Sequence, residues 1–99
     1  MKVNIEEQDT AVLFSVEGYL DTTTAPEFDA ILSPYVAGEK NFVLDFAGLE
    51  YVSSAGLRVI LRATQTLENT GRTVTVRNIS GEVREVFELT GFDTLLTLE

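Results

Sequence analysis

The stretch Val43-Leu-Asp-Phe-Ala-Gly-Leu-Glu-Tyr-Val-Ser-Ser-Ala-Gly-Leu57 constrains this chain more than any other. A nearly continuous apolar run, residues 41–46, leads into it and predicts a central strand covered on both faces. A stripe at helical spacing, Leu57, Ile60, Leu61, Thr64 and Leu67, leads out of it and predicts a helix. A buried strand followed by an amphipathic helix is the repeating unit of a parallel sheet. Two adjacent serines, Ser53 and Ser54, stand where the helix begins. A helix N-terminus carries unsatisfied N–H groups and a positive partial charge. A serine there either caps the helix or carries a phosphate that the helix end tolerates.

The rest of the chain supplies more such units. Val3 and Ile5 alternate with polar residues in a short strand over residues 2–8, and Gln8-Asp9-Thr10 is a turn. Residues 11–17 form a second strand, which pairs with the first as an edge hairpin. The pattern breaks over residues 18–24. Thr24-Ala-Pro-Glu27 reads as a capping box, with Thr24 as N-cap and Glu27 reaching back. Ala25, Phe28, Ile31, Leu32, Tyr35 and Val36 then recur at helical spacing; Pro34 either ends this helix early or bends its last turn, and Gly38 stops it. Residues 48–53 are a connection. Residues 73–77 are a strand. Ser80 is an N-cap for a third helix with Val83, Val86 and Phe87 inward, Arg84 and Glu88 pair across one turn, and Gly91 closes it. Residues 93–98 add a last strand. The expected fold is one α/β domain over residues 1–99: a mixed, mostly parallel sheet of four to five strands, an edge β-hairpin, and three to four helices.

Composition narrows the function. The 99 residues include no cysteine and no histidine, which removes thiolate chemistry, the usual zinc ligands and serine–histidine catalysis. No cofactor or metal is expected. The formal net charge of −9 repels nucleic acid and anionic membrane surfaces and favours a basic protein patch as partner. No apolar run approaches the ~20 residues that span a bilayer, and the first residues lack a secretory apolar region. A cytoplasmic domain is expected, as a monomer or weak dimer. No Gly-x-x-x-x-Gly-Lys or Gly-x-Gly-x-x-Gly pattern supports nucleotide binding by the chain itself.

The segment from Val43 to Leu61, with its Ser-Ser-Ala-Gly-Leu core, resembles the signature of STAS domains and is most similar to that of bacterial anti-sigma factor antagonists. Gly18-Tyr-Leu-Asp21 and the region from Arg72 through Val86-Phe-Glu-Leu-Thr-Gly-Phe92 resemble the family's other recurrent motifs. The resemblance spans essentially the whole chain. It implies a protein–protein switch and not an enzyme. A serine at the start of the second helix is phosphorylated by an anti-sigma factor that is a serine kinase. The unphosphorylated form binds that kinase and frees a sigma factor, and a metal-dependent serine phosphatase resets the system. By position the acceptor falls on Ser54. The family often has an acidic residue before it and a hydroxyl residue after it. Here Ser53 and Ala55 stand there, so Ser53 is the alternative acceptor.

Asp21, Thr22, Ser53, Ser54, Gly56, Arg58 and Arg62 are the expected partner-contacting set. Arg58 and Arg62 share one helical face, where they are either solvated or in contact with a partner. Asp21 either orders its own turn or meets basic side chains of the partner. Asp45 is expected to accept hydrogen bonds from the turn at residues 48–51. Two rival functions stand beside the switch: a constitutive contact subunit of a larger assembly, and a small acid–base enzyme built on Asp21 and Asp45.

Overall fold

The computed structural model describes residues 1–79 and 81–99. The elements run β1 (Lys2–Glu7), β2 (Ala11–Leu20), α1 (Ala25–Val36), β3 (Asn41–Val52), α2 (Ser54–Asn69), β4 (Val74–Arg77), α3 (Gly81–Leu89), a short 3-10 turn (Phe92–Thr94) and β5 (Thr97–Leu98). The five strands lie in the order β1-β2-β3-β4-β5. β1 is antiparallel to β2, and every other pair is parallel. The mixed, mostly parallel sheet with its edge hairpin and three helices is the architecture the periodicities predicted.

Sheet order decides where the helices go. Right-handed crossovers that always step to the next strand in one direction lay every helix on the same face. Burial follows suit. Val12, Phe14 and Val16 of β2, Phe42, Leu44 and Phe46 of β3, and Val74 and Val76 of β4 are buried, while the residues between them are half-covered. Phe14 meets Tyr35 of α1 edge-on at 5.5 Å, and Phe46 meets Phe87 of α3 at 6.3 Å. The expectation that β3 is covered on both faces is therefore corrected: its helix face is buried, and its other face is open.

β2 and β3 run longer than their apolar runs. The breaks expected at residues 18–24 and 48–53 begin later: residues 18–20 and 48–52 continue the ladder, with register shifts between Ser15 and Glu17 and between Gly18 and Tyr19. Across each shift β3 spends an extra residue opposite β2, the signature of a β-bulge. Gly48 is needed there, because a Cβ would stand 2.6 Å from Cγ of Glu17.

Other local expectations fared variously. The turn after β1 forms, with the Gln8 amide donating to the Ala11 carbonyl at 2.8 Å. The capping box does not form. Thr24 is the N-cap residue, but its hydroxyl donates to the Tyr19 carbonyl at 2.8 Å instead of capping α1. Pro34 sits inside α1, which continues to Val36. The buried stripe of α2 contains Leu57, Ile60, Thr64 and Leu67, with Gly56, Val59 and Ala63 added and Leu61 at its half-buried margin. In α3, Val83 and Phe87 are buried and Val86 is half-buried. Arg84 and Glu88 pair at 3.7 Å. The last strand shrinks to two residues because Phe92–Thr94 coil into the 3-10 turn. Ser80, expected as the cap of α3, lies outside the described residues.

Candidate functional site

Leu20 and Val52 are register partners at the ends of two adjacent parallel strands. The turn after β2 and the start of α2 therefore emerge side by side at the carboxyl edge of the sheet, where open α/β sheets place their sites. The Ser53 amide donates to the Leu20 carbonyl at 2.8 Å and fastens the two segments together.

The two serines divide the available roles. Ser53 has extended backbone, and its Oγ accepts the Gly56 amide at 3.2 Å, so it is the N-cap of α2. Ser54 is the first helical residue and is exposed. Among the described residues no hydrogen bond involves its hydroxyl. Arg58 follows it by one turn, exposed and without an ion pair among the described residues.

Gly56 lets α2 start where it does. A Cβ there would sit 2.6 Å from Cγ of Leu20 and 3.1 Å from its carbonyl oxygen. Gly56 is itself buried. It sets the approach of helix to strand.

Asp21 orders its own turn. Its Oδ1 accepts the Thr23 and Thr24 amides, each at 2.9 Å, and the Thr24 hydroxyl at 3.1 Å. The Thr24 amide leads in holding its carboxyl below the ordinary carboxylate value, and with the other hydrogen bonds of the turn it outweighs the opposing desolvation. This leaves an anion, half-exposed, next to Ser53. Exposed Thr22, Pro26 and Arg58, with half-buried Ala55 and buried Ala25 and Val59 at its floor, line a shallow groove between the starts of α1 and α2, continued by Asp29 and Arg62. Arg62 reaches Asp29 at 3.6 Å, a surface pair that contributes little to stability. A larger depression at the opposite sheet edge, bounded by Glu7, Asp9 and Arg72, is remote from these residues.

Asp45 belongs elsewhere. It accepts the Ala47 amide at 3.0 Å, the Asn78 side chain at 3.1 Å and Arg77 at 3.3 Å. The expected acceptor role holds, but the partners are a bulge and the end of β4. Burial pushes its carboxyl up, and these hydrogen bonds with the Arg77 charge outweigh that and hold it below the ordinary value. Five residues of strand separate Ser15, its register partner, from Leu20, roughly 17 Å. Asp21 and Asp45 are thus not brought together, and no acid–base pair forms. Among the described residues no cluster of acidic side chains could hold a metal ion, and no helix is long and apolar enough to cross a membrane.

Two exposed aromatic residues beside the site escaped the sequence reading. Tyr19 and Tyr51 are register partners, their ring centroids 6.3 Å apart, and both are exposed. They fell in segments expected as connections, so their pairing carried no signal.

An edge hairpin followed by three one-directional crossovers, with a capped helix start at the carboxyl edge, defines a class, and the chain belongs to it: residues 2–99 match the STAS domain family. Its relatives include proteins named anti-sigma factor antagonists. BtrV of Bordetella bronchiseptica, which carries that name, is 34% identical over 93 residues, covering 93% of this chain and 80% of the relative. The anti-sigma-B factor antagonist of Staphylococcus aureus is 27% identical over 99 residues, covering 97% and 92%. An anti-sigma factor antagonist from Mycobacterium paratuberculosis superposes with a TM-score of 0.82 at 29% identity, covering 98% of this chain and 83% of that one. The Bacillus cell fate determinant SpoIIAA, solved in its phosphorylated form, shares the fold with a TM-score of 0.78 at 21% identity, covering 99% and 91%.

Proposed function

We propose that this protein is a phosphorylation-controlled anti-sigma factor antagonist with Ser54 as its acceptor. The observation that carries the reading is the division of labour at the start of α2: the Ser53 side chain is engaged as the cap, and the Ser54 hydroxyl is exposed. The unphosphorylated chain binds an anti-sigma factor that is a serine kinase, and a sigma factor is released. The kinase transfers the terminal phosphoryl group of ATP to Ser54 Oγ, forming the ester bond and releasing ADP. A metal-dependent serine phosphatase hydrolyses the ester and restores binding. Asp21, Thr22, Ser53, Arg58 and Arg62 border the contact surface.

The switch needs no refolding. A phosphate on the first residue of a helix is favoured by the helix dipole, and Arg58 lies one turn away. The fold therefore tolerates the modified state. An interface does not, because a phosphate adds roughly −1.5 to −2 charges that must be desolvated against the partner. Like-charge contact across an interface costs several kcal/mol, and about 1.4 kcal/mol already changes affinity tenfold.

Phosphosite mapping by mass spectrometry, on wild type and Ser54→Ala purified from native cells, tests the reading. A single phosphate on Ser54, absent from the variant although Ser53 remains, is the expected result. A phosphate on Ser53 removes Ser54 as acceptor. A chain free of phosphate across growth and stress conditions leaves a constitutive contact subunit.

A further inference from the structure

The chain has six phenylalanines and three tyrosines. Five of the phenylalanines are buried in the core, and Phe92 and Tyr35 pack partly against it. Tyr19 and Tyr51 alone are exposed, 54% and 46%. They are also neighbours, on opposing strands and in register. The next residue on each strand, Leu20 and Val52, is buried toward the helices, so both rings stand on the uncovered face of the sheet. Successive side chains on a strand alternate between faces.

The surroundings are acidic. Glu17 precedes Tyr19 by two residues on the same face, Glu50 adjoins Tyr51, and both are exposed. β2 and β3 contain neither lysine nor arginine. The cations nearby are Lys2, the register partner of Glu17, and the amino terminus beside Gly18. Tyr19 and Tyr51 each lie two residues from the site, before Asp21 and Ser53, about 7 Å of strand. The aromatic surface is therefore continuous with the edge that carries Ser54.

We propose that Tyr19 and Tyr51, flanked by Glu17 and Glu50, form a platform for an arginine side chain on the anti-sigma partner. This rests on the antagonist reading above and names the chemistry of the partner's contact. A guanidinium suits both halves of the platform: it stacks on aromatic faces and pairs with carboxylates in a fixed fork. A chain of net charge −9 attracts a basic segment and repels a second copy of itself, nucleic acid and anionic lipid. An aliphatic segment would leave the glutamates unmatched.

The platform is testable without the partner and without phosphate. The isotope-labelled chain is titrated with the peptide Gly-Arg-Gly-Arg-Gly and with its citrulline counterpart, which keeps the shape and loses the charge. Amide shifts are expected at Tyr19, Tyr51, Glu17 and Glu50, with the arginine peptide bound about threefold to fivefold more tightly by wild type than by Tyr19→Leu/Tyr51→Leu. Glu17→Gln/Glu50→Gln keeps both rings and is expected to weaken binding too, which covers the case in which the leucine variant melts early. Equal binding of the citrulline peptide, full-strength binding to both variants, or shifts confined to other acidic surfaces would overturn the proposal. Phosphosite mapping is blind to these rings, so either reading fails without the other.

Discussion

Ser53 and Ser54 are adjacent and chemically identical, yet one is consumed by the backbone and the other is not. The difference is a single position relative to the helix: the N-cap oxygen faces the third amide, and the first helical residue points its oxygen outward. Asp21 and Asp45 show the same local logic, each accepting amides within three residues of itself. Asp45 also binds Arg77 and Asn78 across 32 and 33 residues of chain. Its lowered carboxyl has a definite consequence. A group with a depressed folded value contributes stability that is complete above its unfolded value, near 3.8, and is lost as pH falls through the folded one. Urea unfolding from about pH 5 downward should therefore show wild type losing stability on acidification and Asp45→Asn losing less of it. Identical slopes would mean that Asp45 is not held by these bonds. Cap chemistry is short-range, so the roles open to Ser53, Ser54 and Asp21 were legible. The Asp45 partnership was only half legible, because Asn78 reaches it from a left-handed backbone, φ 59°, at the end of another strand.

At the level of elements, the junction of β2, β3 and α2 decides how the site is presented. Helix α2 approaches Leu20 so closely that only a missing Cβ permits it. Gly56→Ala should push the first turn of α2 away from β2 and cost about 1–3 kcal/mol, the range for overpacking a well-filled core. Urea denaturation measures this, and a variant as stable as wild type would show that Leu20 yields freely. The bulges of β3 were invisible in the residue pattern, since a bulge replaces the period of two that identifies a strand. For that reason residues 48–52 resembled a loop, and Tyr51 with them. Thr24 and Glu27 have the spacing of a capping box, but Asp21 and the Tyr19 carbonyl compete for the Thr24 hydroxyl and win it. Propensity is a weak prior where a neighbouring turn offers a better bond.

For the molecule as a whole, one buried arginine joins distant parts. Arg72 is 8% exposed and donates to the Val36 carbonyl at 2.7 Å, to the Tyr35 and Lys40 carbonyls at 3.4 Å, and to the Thr70 hydroxyl at 2.8 Å. It closes the end of α1 against the starts of β3 and β4. Arg72→Met fills similar volume and leaves those carbonyls unmatched, so a loss of about 3 kcal/mol in thermal or urea unfolding is expected. A loss near zero would mean that water replaces the guanidinium. Apolar periodicity, serines at a helix start and a charge of −9 determined from the sequence alone that the chain is an alternating α/β domain, which segment opens its second helix with two serines, and the sign of its own field. These are properties of neighbours along the chain or of sums over it. The open sheet face, the bulged strand ends, the exposed tyrosine pair, the inward turn of Gly56 and the bonds of Arg72 were decided by tertiary structure. Each depends on which residue of another element lies opposite, and a linear pattern does not contain that.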